Sequence, residues 1–99
     1  MSIDLQAAQL VPGDVILGFV YGERFREETD PYGEPDHQPV RSVTPHVPMY
    51  SKGYRPNTKP DGNLVIHAES RVFAGGLHVV KPSQVVRVER AALAQEPTR

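Results

Sequence analysis

The chain has 99 residues, a net charge of −1 and no cysteine. This length fits one small domain with a modest core, and the missing thiols exclude a disulfide framework, a thiolate metal site and a cysteine nucleophile. No run approaches the roughly 18 apolar residues of a membrane span, and residues 1–6 lack the basic and apolar parts of a signal peptide. We therefore expect a cytoplasmic protein that does not contact a membrane.

The charges are divided unevenly along the chain. Residues 1–36 carry eight acidic and two basic side chains, a net charge of −6, whereas residues 37–99 carry nine basic and four acidic ones, a net charge of +5. Such asymmetry is found at interaction surfaces, and it is also found where charges simply keep a small protein soluble.

The first segments of the chain predict a turn and then a strand. Residues 2–9 suit a single helical turn capped by Ser2 or Asp4. Pro12-Gly13 predicts a tight turn. Apolar residues on both faces of the stretch from Asp14 to Tyr21 favour a central strand.

The middle of the chain, residues 23–62, holds seven of the ten prolines. Because proline removes a backbone donor and fixes φ, regular strand pairing is expected to fail repeatedly here. The sequence therefore predicts a Pro-rich insertion outside the packed core, with a mobile acidic loop over residues 22–38 and short edge strands over 40–44 and 47–50. Long irregular loops in small domains are often functional.

The alternation from Asn63 to Ala74 predicts a half-buried strand whose inner face includes Ile66 and Ala68. Gly75-Gly76 predicts a two-residue hairpin turn. This turn pairs Val72 with Val79 on the inner face and directs His78 outward, opposite Phe73.

The last segments predict a turn and a closing strand. Lys81-Pro82-Ser83-Gln84 suits a single 3₁₀ turn, the stretch from Val85 to Glu89 alternates as a strand, and residues 90–96 suit a short helix. We predict a single domain over residues 1–99, with a barrel core at 10–22 and 63–90, an insertion at 23–62 and a frayed tail at 91–99.

This order of elements resembles the SH3-like small β-barrel. That fold has a long loop after its first strand, matched here by residues 22–48, and a short 3₁₀ turn before its last strand, matched by Lys81-Pro82-Ser83-Gln84. The resemblance covers residues 10–90 in outline and implies a mainly-β fold. It implies no single function, because one fold hosts many.

A second resemblance is to toxin ribonucleases of the MazF type, which share the barrel. Gly13-Asp14-Val15-Ile16 is similar to the start of their first strand, and Gln38-Pro39-Val40-Arg41-Ser42-Val43 is similar to a later segment, without the arginine that precedes proline in the family. A ribonuclease of this kind is an alternative hypothesis, and it predicts RNA cleavage that is abolished by Arg41→Ala.

The sequence favours a non-catalytic protein-binding accessory module of the kind common in bacteria and bacteriophages, without a cofactor or a metal. The partner, most simply another protein, would be recognised through residues 22–62, where acidic side chains precede tyrosines interleaved with basic ones. The candidate binding residues are Glu27, Glu28, Asp30, Tyr32, Tyr50, Lys52, Tyr54, Arg55 and Lys59.

Three alternatives remain open at this point. The basic and tyrosine-bearing loop 41–59 suits a nucleic-acid-binding protein, because cations neutralise phosphates and aromatic rings stack on bases. A toxin-type ribonuclease on the same barrel is the second alternative, and His67 with Glu69 is the only acid–base pair that the strand spacing suggests. Exposed strand edges also permit a homodimer.

Overall fold

The structure is a computed structural model that describes residues 2–49, 58–70 and 76–90. The fold is mainly β, as the sequence predicts. The elements are β1 (Ser2–Gln6), a 3₁₀ turn (Ala7–Gln9), β2 (Val15–Tyr21), β3 (Arg24–Glu27), β4 (Gln38–Pro45), β5 (Leu64–Ala68), β6 (Leu77–Val80) and β7 (Val85–Glu89). The short helix predicted over 90–96 falls almost wholly outside the described residues.

The described strands form one antiparallel sheet in the order β1-β7-β2-β4-β5-β6, and β3 pairs with β2. The register shifts in β2 between Ile16 and Gly18, and in β4 between Val40 and Ser42. Irregularities of this kind bend a strand and increase its twist. The sheet curls far enough for His78 of β6 to reach Phe19 of β2, with ring centroids 5.2 Å apart.

The core lies on the concave face of this sheet. Ile16, Ile66, Val86 and Val88 are fully enclosed, and the predicted alternation is confirmed for β5 and β7. In β2 the irregularity after Ile16 breaks the predicted alternation and brings both Ile16 and Phe19 into the core. The other buried apolar residues are Ala7, Leu10, Phe19, Val40 and Ala68.

The first residues of the chain form a strand, which corrects the predicted helical turn. β1 pairs with β7 through partners such as Ile3 and Val88, and Ile3 and Leu5 are half-buried against the core. Only Ala7–Gln9 is helical, and the Ala7 N–H donates to the Gln84 carbonyl oxygen at 2.8 Å. The two-residue alternation of Ile3 and Leu5 therefore outweighs the capping signal.

The prediction that residues 23–62 lie outside the packed core is wrong for β4 and for the residues just before it. Asp36, Gln38 and Val40 are buried, and β4 lies inside the sheet between β2 and β5 rather than at an edge. Proline is tolerated here because Pro39 needs to supply only its carbonyl oxygen, which accepts from the Glu69 N–H at 2.9 Å. Val47 to Met49 form no strand.

The predicted register of β6 is also wrong. Val79 pairs with Val65, seven positions before the predicted Val72, and the Ala68 N–H donates to the Gly76 carbonyl oxygen at 3.1 Å. Because seven is odd, the shift reverses the faces of β6. His78 therefore faces inward, whereas Leu77 and Val79 face solvent.

Candidate functional site

The predicted acidic loop contains an ordered turn, residues 28–36, which we call the acidic hairpin. The Asp30 carboxylate oxygen Oδ1 accepts from the N–H groups of Tyr32 and Glu34, both at 2.9 Å, and an isolated β-bridge joins Thr29 to Pro35. Side-chain oxygens that bind the backbone two residues on are a standard turn device of aspartate. Tyr32 is 91% exposed at the tip.

A buried polar cluster ties the acidic hairpin to β4 and β6. His78 Nε2 lies 2.7 Å from Gln38 Oε1, and Gln38 Nε2 donates to Asp36 Oδ2 at 3.3 Å and to Glu28 Oε1 at 3.5 Å. The Ser70 hydroxyl donates to Asp36 Oδ2 at 2.7 Å. Because the Gln38 amide nitrogen faces carboxylates, its oxygen faces His78, and the proton of the neutral imidazole is assigned to Nε2.

His78 is the titratable residue at the centre of this cluster. Burial lowers the pKa of its imidazole, and the nearby carboxylates of Glu28 and Asp36 oppose this shift without cancelling it. The pKa of His78 therefore lies below its usual value of 6.5, and the neutral ring that packs on Phe19 is favoured at neutral pH.

A groove of about 390 Å³ opens beside this cluster, which we call the β3–β6 groove. Phe19, Tyr21, Arg26 and Glu28 line one side, and β6 lines the other. Arg26 and Phe19 are register partners, so both side chains lie on the same face of the β2–β3 ribbon. The groove therefore combines an aromatic floor, a basic wall and an apolar strand.

A second cavity, of about 440 Å³, is lined by residues of β4 and β5, the two residues after β5 and Leu77 of β6, and we call it the Arg41 cavity. Arg41, His67, Glu69 and Ser70 line it. Arg41 Nε lies 3.5 Å from Glu69 Oε1, and His67 Nε2 lies 3.4 Å from the Thr44 hydroxyl. A guanidinium, an imidazole and a carboxylate thus share one opening.

The structure brings together only part of the predicted binding set. Glu28, Asp30 and Tyr32 belong to the acidic hairpin, and Glu27 Oε2 lies beside it, 3.2 Å from His37 Nε2. Lys59 lies on the exposed segment before β5. The remaining candidates, Tyr50, Lys52, Tyr54 and Arg55, lie outside the described residues.

Sequence reasoning missed the polar cluster and Arg26. Asp36 and Gln38 stand in a polar, proline-containing stretch, and no local pattern distinguishes them from exposed residues. No sequence signal marks His78 either, because the hairpin turn predicted at Gly75-Gly76 directs that side chain outward, and only the observed register of β6 turns it inward.

The ends of the segment between residues 46 and 61, which includes most of the basic loop, are held together. His46 Nδ1 lies 2.8 Å from Asp61 Oδ2, the His46 N–H donates to the Asn63 carbonyl oxygen at 2.9 Å, and the Asp61 N–H donates to the His46 carbonyl oxygen at 3.1 Å. The N–H of Asn63, together with His46, lowers the pKa of the Asp61 carboxyl. Residues 46 and 61–63 thus form a fixed base for this segment.

The described ranges contain no cluster of three or more histidine, aspartate or glutamate side chains that could hold a metal ion. In the same ranges, no helix has the length and apolar character to cross a membrane. The chain matches no protein-family model, no curated protein and no solved structure. Function is therefore inferred from the β3–β6 groove and the Arg41 cavity.

Proposed function

We propose that this chain is a non-catalytic protein-binding module on an SH3-like small barrel. The barrel is supported by the long excursion between β2 and β4 and by the single turn before β7, in which the Gln84 N–H donates to the Lys81 carbonyl oxygen at 3.0 Å. Both features stand where the resembled fold has its long loop and its 3₁₀ turn.

The observation that carries the binding proposal is the exposed apolar surface at the β3–β6 groove. Tyr21, Leu77 and Val79 are 52%, 60% and 52% exposed, and Arg26 and Glu28, the first residue of the acidic hairpin, line the same groove. Adjacent exposed apolar side chains with a polar rim are typical of interaction sites on small proteins. The proposed recognition surface is therefore the acidic hairpin together with this groove.

The test begins with capture of a partner from the native host, its identification by mass spectrometry and its reconstitution with purified protein. We expect the double substitution Y32S/E34K to weaken the measured Kd at least tenfold, because both side chains are exposed on the acidic hairpin. Deleting residues 23–36 is a poorer test, since it would remove β3 and the buried Asp36.

The matched control is Met49→Ser, which removes an apolar side chain that is 76% exposed and lies outside the proposed surface. This variant and Y32S/E34K should both keep the wild-type melting temperature. An unchanged Kd for Y32S/E34K would reject the acidic hairpin as the recognition surface.

Ribonuclease activity is the second candidate, and the composition of the Arg41 cavity favours it. His67 and Glu69 supply an acid–base pair, and the Arg41 guanidinium suits a phosphate. The nucleic-acid-binding alternative on loop 41–59 stays a prediction, because Lys52 and Arg55 lie outside the described residues.

Cleavage of a labelled oligoribonucleotide by the purified protein tests this candidate. We expect cleavage to be abolished in Arg41→Ala and retained in Lys81→Ala, which removes an exposed cation outside the cavity. RNA that stays intact with the wild-type protein would exclude the ribonuclease.

A further inference from the structure

We propose that the free edge of β6 receives an extended acidic–apolar segment of the partner by strand addition, an inference that rests on the protein-binding function proposed above. Strand addition is a recurrent mode of peptide recognition in which main-chain hydrogen bonds give affinity and alternate side chains give specificity. Three observations support it. Some backbone groups of β6 point away from β5, two side chains of β6 are exposed, and charged side chains lie across the groove.

The backbone of β6 offers unused hydrogen-bonding groups. The bond from the Ala68 N–H to the Gly76 carbonyl oxygen determines which residues of β6 exchange backbone hydrogen bonds with β5. By the alternation of antiparallel strands, His78 and Val80 then direct their backbone groups toward β5, whereas Leu77 and Val79 direct theirs away from it. No described strand pairs with this second edge.

The edge also lacks the usual protection against pairing. Natural edge strands carry lysine, proline, bulges or inward-facing charges that discourage a further strand. β6 reads Leu-His-Val-Val, and the side chains of Leu77 and Val79 are exposed. A strand added here would cover the side chains of Leu77 and Val79, which no residue in the described ranges covers.

The opposite wall of the groove carries Arg26 beside Glu28, and the Glu28 carboxylate accepts from Gln38 in the polar cluster. Arg24 and Arg26 are register partners of Tyr21 and Phe19, so they share the face that borders the groove. Neither arginine forms an ion pair within the described part of the chain. The other described arginines are paired: Arg41 with Glu69, Arg87 with Asp4 and Arg90 with Asp14.

These features define the sequence of the occupant. Partner residues beside Leu77 and Val79 would be apolar, because their side chains lie on the same face of the extended sheet. The intervening residues would point toward Arg26 and would be acidic. The expected segment therefore alternates apolar and acidic side chains.

The size of the site favours a peptide segment over a second copy of this chain. β6 is four residues long and the groove holds about 390 Å³, a volume typical of sites for small ligands. Stable protein–protein interfaces bury about 1,200 Å² or more. A four-residue edge by itself falls well short of that area.

The test uses a displayed library of random twelve-residue peptides, selected on the full chain. Enriched sequences are expected to alternate apolar and acidic residues, and their fluorescent synthetic copies should bind at least tenfold more weakly to Val79→Pro. Since the Val79 N–H points away from β5, proline there removes no hydrogen bond of the fold. Arg26→Gln should weaken binding about threefold to tenfold and reduce its dependence on salt.

Two further measurements keep the test decisive if Val79→Pro does not fold. Leu77→Lys protects the edge without proline and should also abolish binding, whereas Met49→Ser should not. Peptides with N-methyl groups at the backbone positions that pair with β6 should lose affinity for the unchanged protein. Equal affinity of methylated and unmethylated peptides, or no enrichment, would overturn strand addition.

The outcomes also distinguish strand addition at β6 from the protein-binding function on which it rests. A reconstituted partner that binds Val79→Pro as tightly as wild type, yet is lost in Y32S/E34K, would overturn strand addition and leave the binding module standing. A dimer detected by light scattering and abolished by Val79→Pro would show that a second copy of the chain pairs with β6. This result would also overturn the peptide proposal.

Discussion

Replacement of Asp14 by alanine is expected to lower the free energy of unfolding by roughly 3–5 kcal/mol, because it leaves the charge of Arg90 without its buried partner. The Asp14 side chain is 1% exposed, and Arg90 donates to it through Nε at 2.7 Å and Nη2 at 2.8 Å. In a domain of about 100 residues such a loss lowers Tm by more than ten degrees. Thermal and urea unfolding measure it.

The same carboxylate closes the turn before β2, which adds to the expected loss. Asp14 Oδ2 accepts from the Val11 N–H at 3.0 Å, and the Asp14 carbonyl oxygen accepts from the Val40 N–H at 2.7 Å. Gly13 adopts a φ of +99° within this turn, a conformation that glycine reaches without strain. Asp14 thus joins the turn, β4 and the residue that follows β7.

The chain contains a matched control at Asp4. This carboxylate also binds an arginine through two bonds, from Arg87 Nε at 2.8 Å and Nη2 at 3.2 Å, but both side chains are substantially exposed. Exposed ion pairs contribute little to stability, so Asp4→Ala should change Tm far less than Asp14→Ala. Equal effects of the two substitutions would contradict the role assigned to burial.

The pH dependence of unfolding supplies a second measurement for Asp14. Burial alone would raise the pKa of this carboxyl, but the bonds from Arg90 and Val11 outweigh burial and hold the pKa below its ordinary value of 3.8. A lowered pKa contributes stability above the unfolded-state value, and the contribution is lost as the pH falls toward the folded-state value. Asp14→Asn should therefore show a flatter loss of stability below about pH 4 than wild type.

The strands that the sequence predicts correctly are those with a local signal. β2 follows the Pro12-Gly13 turn, β7 follows the turn at Lys81–Gln84, and the inner face of β5 is marked by Ile66 and Ala68. β5 and β7 show their alternation within a few residues, and β2 is an apolar run directly after a turn, so no knowledge of the partner strand is needed.

The features that escape prediction depend on partners distant in the sequence. Asp36 and Gln38 are acceptable in the interior only because Ser70 and His78, 34 and 40 residues further on, satisfy their hydrogen bonds. The Gly75-Gly76 pair carries a strong local hairpin signal, yet the bond between Ala68 and Gly76 sets another register. That register, rather than any motif, exposes the side chains of Leu77 and Val79 at the edge strand β6.

Gly18→Ala is expected to detach β3 from β2 and to lower the free energy of unfolding by about 1–3 kcal/mol, the range for overpacking a filled site. A Cβ atom at residue 18 would overlap the Arg26 carbonyl oxygen and would lie 2.8 Å from Glu27 Cα and 2.7 Å from Phe25 Cε1. Two of these three contacts are with backbone, which cannot rotate away. Amide hydrogen exchange across β3 and thermal unfolding measure the effect.

The double variant G18A/F25A separates the backbone contacts from the ring contact. Removal of the Phe25 ring relieves the contact with Cε1 but leaves the Arg26 carbonyl oxygen in place, so it should not restore wild-type stability. Gly22→Asn is the control in the same β2–β3 ribbon, because Gly22 has a φ of +64° and open space, and asparagine tolerates that conformation. Near-wild-type stability is expected for Gly22→Asn.

The consequence for binding makes Gly18 more than a packing residue. β3 carries Arg26, the basic wall of the β3–β6 groove, and Glu28 follows directly after it. If β3 separates from β2, Arg26 no longer faces β6, and acidic–apolar peptides should bind Gly18→Ala as weakly as they bind Arg26→Gln. Full peptide affinity in a Gly18→Ala protein whose β3 amides exchange rapidly would show that Arg26 takes no part in recognition.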